Sequence, residues 1–281
     1  MSSAPHSGTS QKGDMTFWEH INALRGVLIK SLLSVGILWL VFLSVMPRIF
    51  DSIILAPCRA DFPTYRLLES LSRYFSIPGI DASEGFNVNL INIQLASQFF
   101  IHISSAFWLA LTVATPVILF HIWQFVAPAL YDHERRAASR AFISGTLLFF
   151  IGAATGYYIV FPLTLRFLAG YQMSPLIPNQ ISLDSYMDNF TMLILMMGLV
   201  FELPIVAWML GRLGILSRSL FIRYRRHAIV AMLIVAAIIT PTGDPFTLMV
   251  VFIPVYLLWE AGALLVPREA NEVQSAQSQQ S

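Results

Sequence analysis

Two carboxylates of this 281-residue chain stand inside strongly apolar segments, where a charge needs a reason. Glu202 lies between Phe201 and Leu203, and Glu260 follows Trp259. A carboxylate near the middle of a membrane-spanning helix costs about 2.5 to 3.5 kcal/mol, so it normally faces a bundle interior and meets a polar group. We interpret Glu202 as an intramembrane polar site for a partner contact; a hydrogen bond within the bundle is the alternative. Glu260 lies nearer the end of its segment, where function and simple access to water are equally good explanations.

A third carboxylate, Glu134, lies in a short polar connection, residues 123–136, that also holds aromatic residues and prolines. Carboxylates bind guanidinium groups through charge-assisted, often bidentate hydrogen bonds. Phe125 in the same connection can shield such a pair or stack on an arginine face. A basic anchor for the neighbouring helices would explain Arg135 and Arg136 but not Glu134, since acids contribute little to membrane orientation. The connection therefore predicts a site for an arginine-bearing ligand.

Motifs of catalysis and of metal binding are missing from these segments. His133 has Ala137 four residues later, so the helical zinc motif fails, and we find no nucleophile elbow or phosphate-binding loop. Cys58 is the single cysteine and cannot form a disulfide within the chain. We expect no catalytic residue, no cofactor, no metal ion and no nucleic-acid partner.

The elements that position these residues are apolar segments of membrane-spanning length. Hydrophobic residues make up 56% of the chain, charged residues 12%, and the mean hydropathy is +0.67. We predict an all-α polytopic membrane protein in which the fifth and sixth helices are short; the fifth would cover about 20 Å of a hydrocarbon core of about 30 Å. The six predicted spans are residues 27–46, 98–122, 141–161, 190–210, 228–240 and 246–266.

The placement of Lys and Arg residues predicts the orientation of these spans. Twelve fall on the side of the two termini and five on the other side, so both termini are predicted to be cytoplasmic. The spans form one membrane domain, residues 17–267, between a cytoplasmic segment, 1–16, and a cytoplasmic tail, 268–281, both of which we expect to be disordered.

Three shorter patterns predict local structure. In the first external loop Leu67, Leu71 and Tyr74 recur at helical spacing among charged residues, which indicates an amphipathic helix at the membrane surface. Apolar and polar residues alternate over 86–90, a short strand-like lead into the second span. Glycines at both ends of 152–156 match the small-residue pattern of closely packed membrane helices.

Several segments together resemble the TatC family, the large subunit of the twin-arginine protein translocase. The resemblance implies a receptor for signal peptides that carry paired arginines, in the bacterial inner membrane. It also implies TatA- and TatB-type single-span partners, several TatC copies in a hetero-oligomer, and transport of folded proteins driven by the proton motive force. The segments that carry it are Pro116–Leu119, Phe125–Tyr131, His133–Arg136, Val160–Leu163, Phe201–Pro204 and Thr240–Asp244.

Site residues follow from the resemblance position by position. Besides Glu134 and Phe125, it implies that Leu130, Tyr131 and Arg25 take part in signal-peptide binding. On the periplasmic side it assigns functional positions to Pro57 and Asp244.

The chain departs from the family pattern near its beginning. Where the family has His-Leu-x-Glu-Leu-Arg, residues 20–25 read His-Ile-Asn-Ala-Leu-Arg, so Ala23 replaces the expected acid. Glu19 lies one helical turn from position 23 and can supply the missing carboxylate; a favourable charge at the helix N-terminus is the alternative explanation. The first external loop is also longer than is usual in the family.

An ion-coupled small-molecule transporter is the alternative function. Glu202 and the prolines inside the spans fit both hypotheses. Transporters concentrate their ligand groups near the membrane midplane and often carry inverted repeats. This chain has its acidic and aromatic connection outside the membrane and no convincing repeat, so peptide recognition is favoured.

Overall fold

The computed structural model describes residues 17–75, 86–126, 132–212 and 214–266, and these residues are predominantly helical. Within them the chain forms a bundle of long helices, joined at one side by a small cap of loops and by one pair of two-residue strands. The helices are α1 (Phe17–Ile49), α2 (Pro63–Phe75), α3 (Ser97–Val126), α4 (Asp132–Thr155), α5 (Phe161–Gly170), α6 (Leu183–Val200), α7 (Leu203–Arg212), α8 (Arg218–Arg223), α9 (Arg225–Ile239) and α10 (Pro245–Leu265).

The bundle has two distinct ends. We call the end that carries residues 50–75, 86–96, 171–182 and 240–244 the cap end. The opposite end, which carries the start of α1, the end of α3, the start of α4, the end of α7 and residues 214–226, is called the terminal end. A ring stack of Phe167 on Phe246 fixes the start of α10 at the cap end, and a ring contact of Phe221 with Trp259 fixes its other end at the terminal end.

Each predicted span matches an observed helical segment, and the spans 228–240 and 246–266 end one residue beyond theirs. The polytopic helical fold is confirmed. Four of the segments extend well beyond the predicted limits, because polar residues that leave the hydrocarbon can remain helical. Among the described residues, five segments are long and apolar enough to cross a membrane, and α9 is not one of them. At 15 residues α9 covers about 22 Å, as predicted.

The expectation of a short sixth helix was wrong, because α10 is long enough to cross the hydrocarbon core of a membrane. Helix α10 has 21 residues, and at 1.5 Å per residue it covers about 31 Å. Pro245 is its first residue, and Pro254 lies inside it. The Asp244 side chain caps its N-terminus. Of the helical segments that match the six predicted spans, α9 is therefore the one, among the described residues, that is shorter than the hydrocarbon core of about 30 Å.

Two crossings are interrupted just before a proline. A π-helical turn, Gly156–Val160, joins α4 to α5 before Pro162. The predicted single helix over 190–210 is divided at residues 201–202 into α6 and α7, before Pro204. Proline has no N–H to donate to the preceding turn, so the ladder of helical hydrogen bonds must change there.

Small residues let α4 and α6 approach closely. A Cβ atom at Gly152 would lie 2.6 Å from the Met197 carbonyl oxygen, and one at Gly156 would lie 2.9 Å from the Ile194 Cα atom. In the other direction, a Cβ at Gly198 would lie 2.7 Å from the Phe149 ring. The two helices therefore meet through backbone on both sides, which confirms the packing predicted from residues 152–156.

The predicted loop helix exists as α2, and its apolar stripe faces outward. Leu67, Leu71 and Tyr74 are exposed, whereas Tyr65 on another face is buried. The strand-like lead is shorter than predicted and consists of β1 (Leu90–Ile91). It pairs in parallel with β2 (Ile181–Ser182), a partner that no local pattern indicates.

Candidate functional site

Helices α1, α3 and α4, which carry Glu19, Arg25, Phe125 and Glu134, meet at the terminal end. Helices α1 and α3 are antiparallel: Trp39 Nε1 donates to the Ile103 carbonyl at 3.1 Å, and His102 Nε2 lies 2.9 Å from the Leu43 carbonyl oxygen. If both helices continue with this register, residue 19 of α1 lies opposite roughly residues 123 to 126 of α3. Helix α4 begins at the same end, at Asp132, six residues after the end of α3 at Val126.

The positions with described side chains define only part of this region. Phe125 is half-buried near the end of α3, and Arg25 is exposed on α1, about 9 Å along the axis from Glu19. The side chains of Glu19 and Glu134, and residues Leu130 and Tyr131, lie outside the part of the chain that the structure describes. Their roles in peptide binding stay predictions.

Glu202 occupies the interruption between α6 and α7. Its carboxylate lies against Gly145 of α4: a Cβ atom at that glycine would be 2.9 Å from Glu202 Oε2. Within the described residues, Glu202 Oε1 is buried and has no hydrogen-bond partner. A buried carboxylate oxygen without a partner is costly, so this group is suited to a hydrogen bond that the described residues do not supply.

Glu260 has a partner within the chain. Arg225 Nε donates to Glu260 Oε1 at 2.7 Å, and a second nitrogen of the same guanidinium lies 2.6 Å from that oxygen. The pair joins the start of α9 to the last turns of α10. Sequence reasoning did not pair these residues, because nothing local relates positions 35 apart.

Pro57 lies at the centre of the cap end. It is buried in the 3-10 turn Ala56–Cys58, and its carbonyl accepts a hydrogen bond of 2.9 Å from the Tyr65 hydroxyl. That hydroxyl also lies 3.3 Å from the Pro162 carbonyl oxygen, so it links the first external loop to α5. Burial raises the pKa of the neighbouring Cys58 thiol, which keeps it protonated and poorly reactive.

Other residues that build the cap were not singled out from the sequence. The Tyr186 hydroxyl donates to the Ile54 carbonyl at 2.5 Å, and the Arg166 guanidinium carbon lies 5.7 Å and 5.8 Å from the ring centres of Tyr65 and Phe86. For Tyr186 the available signal was its aromatic character near the start of an apolar segment, which is common at membrane interfaces. Arg166 carried no such signal.

Asp244 caps helix α10. Its carboxylate accepts hydrogen bonds from the Thr247 backbone N–H at 2.7 Å and from the Thr242 hydroxyl at 2.6 Å. Partial burial opposes ionisation of this group, but the hydrogen bonds together outweigh it and lower the pKa of Asp244. The geometry assigns a capping role to this position, and a further functional role stays a prediction.

The Tyr65 hydroxyl is expected to hold the cap together. Tyr65→Phe leaves the buried Pro57 carbonyl without its donor, so we expect a loss of about 1 to 3 kcal/mol in unfolding free energy. Thermal unfolding of the purified protein in detergent measures this loss. Tyr171→Phe, which alters an exposed tyrosine of the same end, serves as the control. Equal melting temperatures for the two variants would contradict this role.

Comparisons with known proteins give one consistent result. The family model described as "Sec-independent protein translocase protein (TatC)" matches residues 19–254. A protein of that name from Blattabacterium sp. subsp. Periplaneta americana is 33% identical over 256 residues, which cover 89% of this chain and 94% of the relative. One from Aquifex aeolicus is 35% identical over 193 residues, covering 67% of this chain and 80% of the relative. A crystal structure titled as the twin arginine translocase receptor TatC in DDM matches with a TM-score of 0.72 and 30% identity, over 89% of this chain and all of that chain.

Proposed function

As this chain belongs to the TatC family of Sec-independent protein translocase proteins, we propose that it binds twin-arginine signal peptides at its terminal end and passes their folded cargo to a transport complex. The chain is a membrane-embedded translocase subunit and not an enzyme. The observation that carries the proposal is the family match over residues 19–254, which contains nearly the whole helical bundle.

The terminal end is the proposed peptide site. Glu19, Phe125 and Glu134 lie on three elements that converge there, as the register of α1 and α3 and the start of α4 indicate. Two carboxylates and an aromatic ring are suited to a pair of guanidinium groups, which they can bind through charge-assisted hydrogen bonds and stacking. Leu130, Tyr131 and Arg25 complete the proposed site.

The terminal end is proposed to face the cytoplasm of a bacterial inner membrane, so that both termini are cytoplasmic. The excess of Lys and Arg on that side supports this orientation. Signal peptides on newly made proteins would then meet the site directly.

Glu202 is proposed to receive a polar group from a TatA- or TatB-type partner helix or from the inserted peptide. Its buried oxygen without a partner in the described chain, and the close approach that Gly145 allows, support a contact of this kind. Together with such partners, and with several copies of this chain, the complex would transport folded proteins using the proton motive force. Family membership does not favour the small-molecule transporter alternative.

The test of peptide recognition compares two synthetic signal peptides that differ only in their arginine pair. We expect the purified chain to bind the twin-arginine peptide clearly more tightly than a twin-lysine peptide, because the lysine ammonium cannot form the bidentate pair. Fluorescence anisotropy of labelled peptides measures both affinities. Equal affinities would contradict the proposed function.

A second experiment tests whether Glu19 replaces the carboxylate that is missing at Ala23. If Glu19 supplies the missing carboxylate, Glu19→Ala weakens twin-arginine binding about tenfold or more, the loss expected of one charge-assisted hydrogen bond. The double change Glu19→Ala with Ala23→Glu then restores it. If Glu19 only stabilises the helix end, Glu19→Ala barely changes the affinity and recognition rests mainly on Glu134.

A further inference from the structure

The connection from α7 to α9 is the most strongly basic part of the described chain. No Asp or Glu occurs between residues 203 and 243. Within the described residues, Glu260 is the one carboxylate that lies within 4 Å of a guanidinium of this connection, and it pairs with Arg225. The arginines of the connection, which we call the arginine patch, are Arg212, Arg218, Arg223, Arg225 and Arg226.

Arg212 and Arg223 lie in the last turns of α7 and α8, where a cation is favourable, but the other three arginines of the patch are not placed to stabilise the helices that carry them. Arg218 begins α8, and Arg225 and Arg226 begin α9, with no acid in the first turn of either helix. A helix N-terminus carries partial positive charge, so cations there are unfavourable unless an anion lies nearby. Glu260 meets this need for Arg225, and within the described residues no acid forms an ion pair with Arg218 or Arg226. Both are therefore suited to anions supplied from outside the chain.

Apolar side chains beside the patch indicate that it lies in a lipid environment. The Phe221 ring is buried 4.5 Å from the ring centre of Trp259, which fixes α8 to α10. The neighbouring Ile215 and Ile222 are 62% and 67% exposed. Isoleucines that point outward next to arginines are typical of a segment in the membrane interface, where one group meets acyl chains and the other meets headgroups.

The length of α9 adds to the demand for headgroups at this position. Its 15 residues cover about 22 Å, roughly 8 Å less than the hydrocarbon core. Its first residues belong to the arginine patch, so the patch would be drawn toward the hydrocarbon unless lipid headgroups move inward with it. Guanidinium groups pair well with phosphate, in bidentate geometry where it is accessible.

We propose that the arginine patch binds the headgroups of anionic phospholipids beside α9. Clusters of four or more basic residues next to a membrane span are the usual form of such sites. The proposal does not depend on peptide recognition, and the patch does not fit a twin-arginine peptide, because two cationic groups repel each other.

The test measures lipid binding to the full-length purified chain by native mass spectrometry. The probes are phosphatidylglycerol and phosphatidylcholine with identical acyl chains. We expect the wild-type chain to bind phosphatidylglycerol at least about tenfold more tightly, and the triple variant Arg218→Gln, Arg223→Gln, Arg226→Gln to lose this preference. The matched control removes three exposed arginines of the cap end, Arg48→Gln, Arg59→Gln and Arg66→Gln, and should keep the preference.

A second triple variant, Arg218→Lys, Arg223→Lys, Arg226→Lys, distinguishes the loss of positive charge from misfolding of the glutamine variant. It retains the positive charge, so it should keep most of the phosphatidylglycerol preference. The proposal is overturned if the wild type shows no preference, if the cap-end control loses it equally, or if the lysine triple binds no better than the glutamine triple. Displacement of phosphatidylglycerol by a polyglutamate peptide of higher affinity would overturn it in favour of an acidic protein partner.

Discussion

Gly152→Leu is expected to disrupt the pairing of α4 with α6 and to prevent accumulation of a well-folded protein. Any side chain at this position starts with a Cβ atom 2.6 Å from the Met197 carbonyl oxygen, a distance at which backbone must move. Overpacking of a tight core contact costs about 1 to 3 kcal/mol for added methylenes that neighbours can absorb, and here the opposing atom cannot rotate away. Gly152→Ala should already lower the melting temperature.

The control for this prediction is Gly36 on α1, because a Cβ atom there would meet nothing within 4 Å. Gly36→Leu is expected to leave expression, monodispersity and melting temperature unchanged. Size-exclusion chromatography and thermal unfolding in detergent measure these properties. If both leucine variants behave like the wild type, the helices have enough freedom to separate and close packing at Gly152 is unimportant.

Glu134→Gln is expected to weaken twin-arginine peptide binding by about 10- to 100-fold while expression and topology persist. The amide keeps the size of the side chain but loses the charge, and a hydrogen bond between charged groups contributes about 1.5 to 3 kcal/mol. Peptide anisotropy with the purified variant measures the loss, and export of a twin-arginine reporter in cells should fall with it.

Asp132→Asn provides the matched control, since it removes one negative charge from the same first turn of α4. A direct contact predicts that Glu134→Gln lowers twin-arginine affinity far more than Asp132→Asn and has little effect on a twin-lysine peptide. If the two variants lower the affinity for both peptides equally and slightly, Glu134 acts only through the general charge of this end.

The broken crossing from α6 to α7 shows how a local signal and a tertiary contact combine. The Phe201–Pro204 segment predicts a disturbance, because Pro204 cannot donate a helical hydrogen bond. The sequence alone left open where the Glu202 carboxylate would point. Its position against Gly145 depends on the pairing of α4 with the α6–α7 segment, in which the glycine leaves room for it.

The sequence alone was sufficient to predict the helical membrane fold, the six apolar segments and the loop helix α2. Lipid offers no hydrogen bonds to an open backbone, so an apolar segment of sufficient length must be helical wherever it lies in the bundle. Small residues at 152 and 156 were likewise sufficient to predict a close helix contact, although they did not identify α6 as the partner.

Only the tertiary structure decided which distant groups meet. The Arg225–Glu260 pair, the link from Tyr65 to both Pro57 and Pro162, and the pairing of β1 with β2 join residues far apart in the chain. Within a membrane, apolar helices gain little from choosing one apolar neighbour over another, so hydropathy predicts that helices exist but not how they are arranged. Their arrangement depends on glycine contacts and polar pairs that form after insertion, when the facing surfaces can be matched.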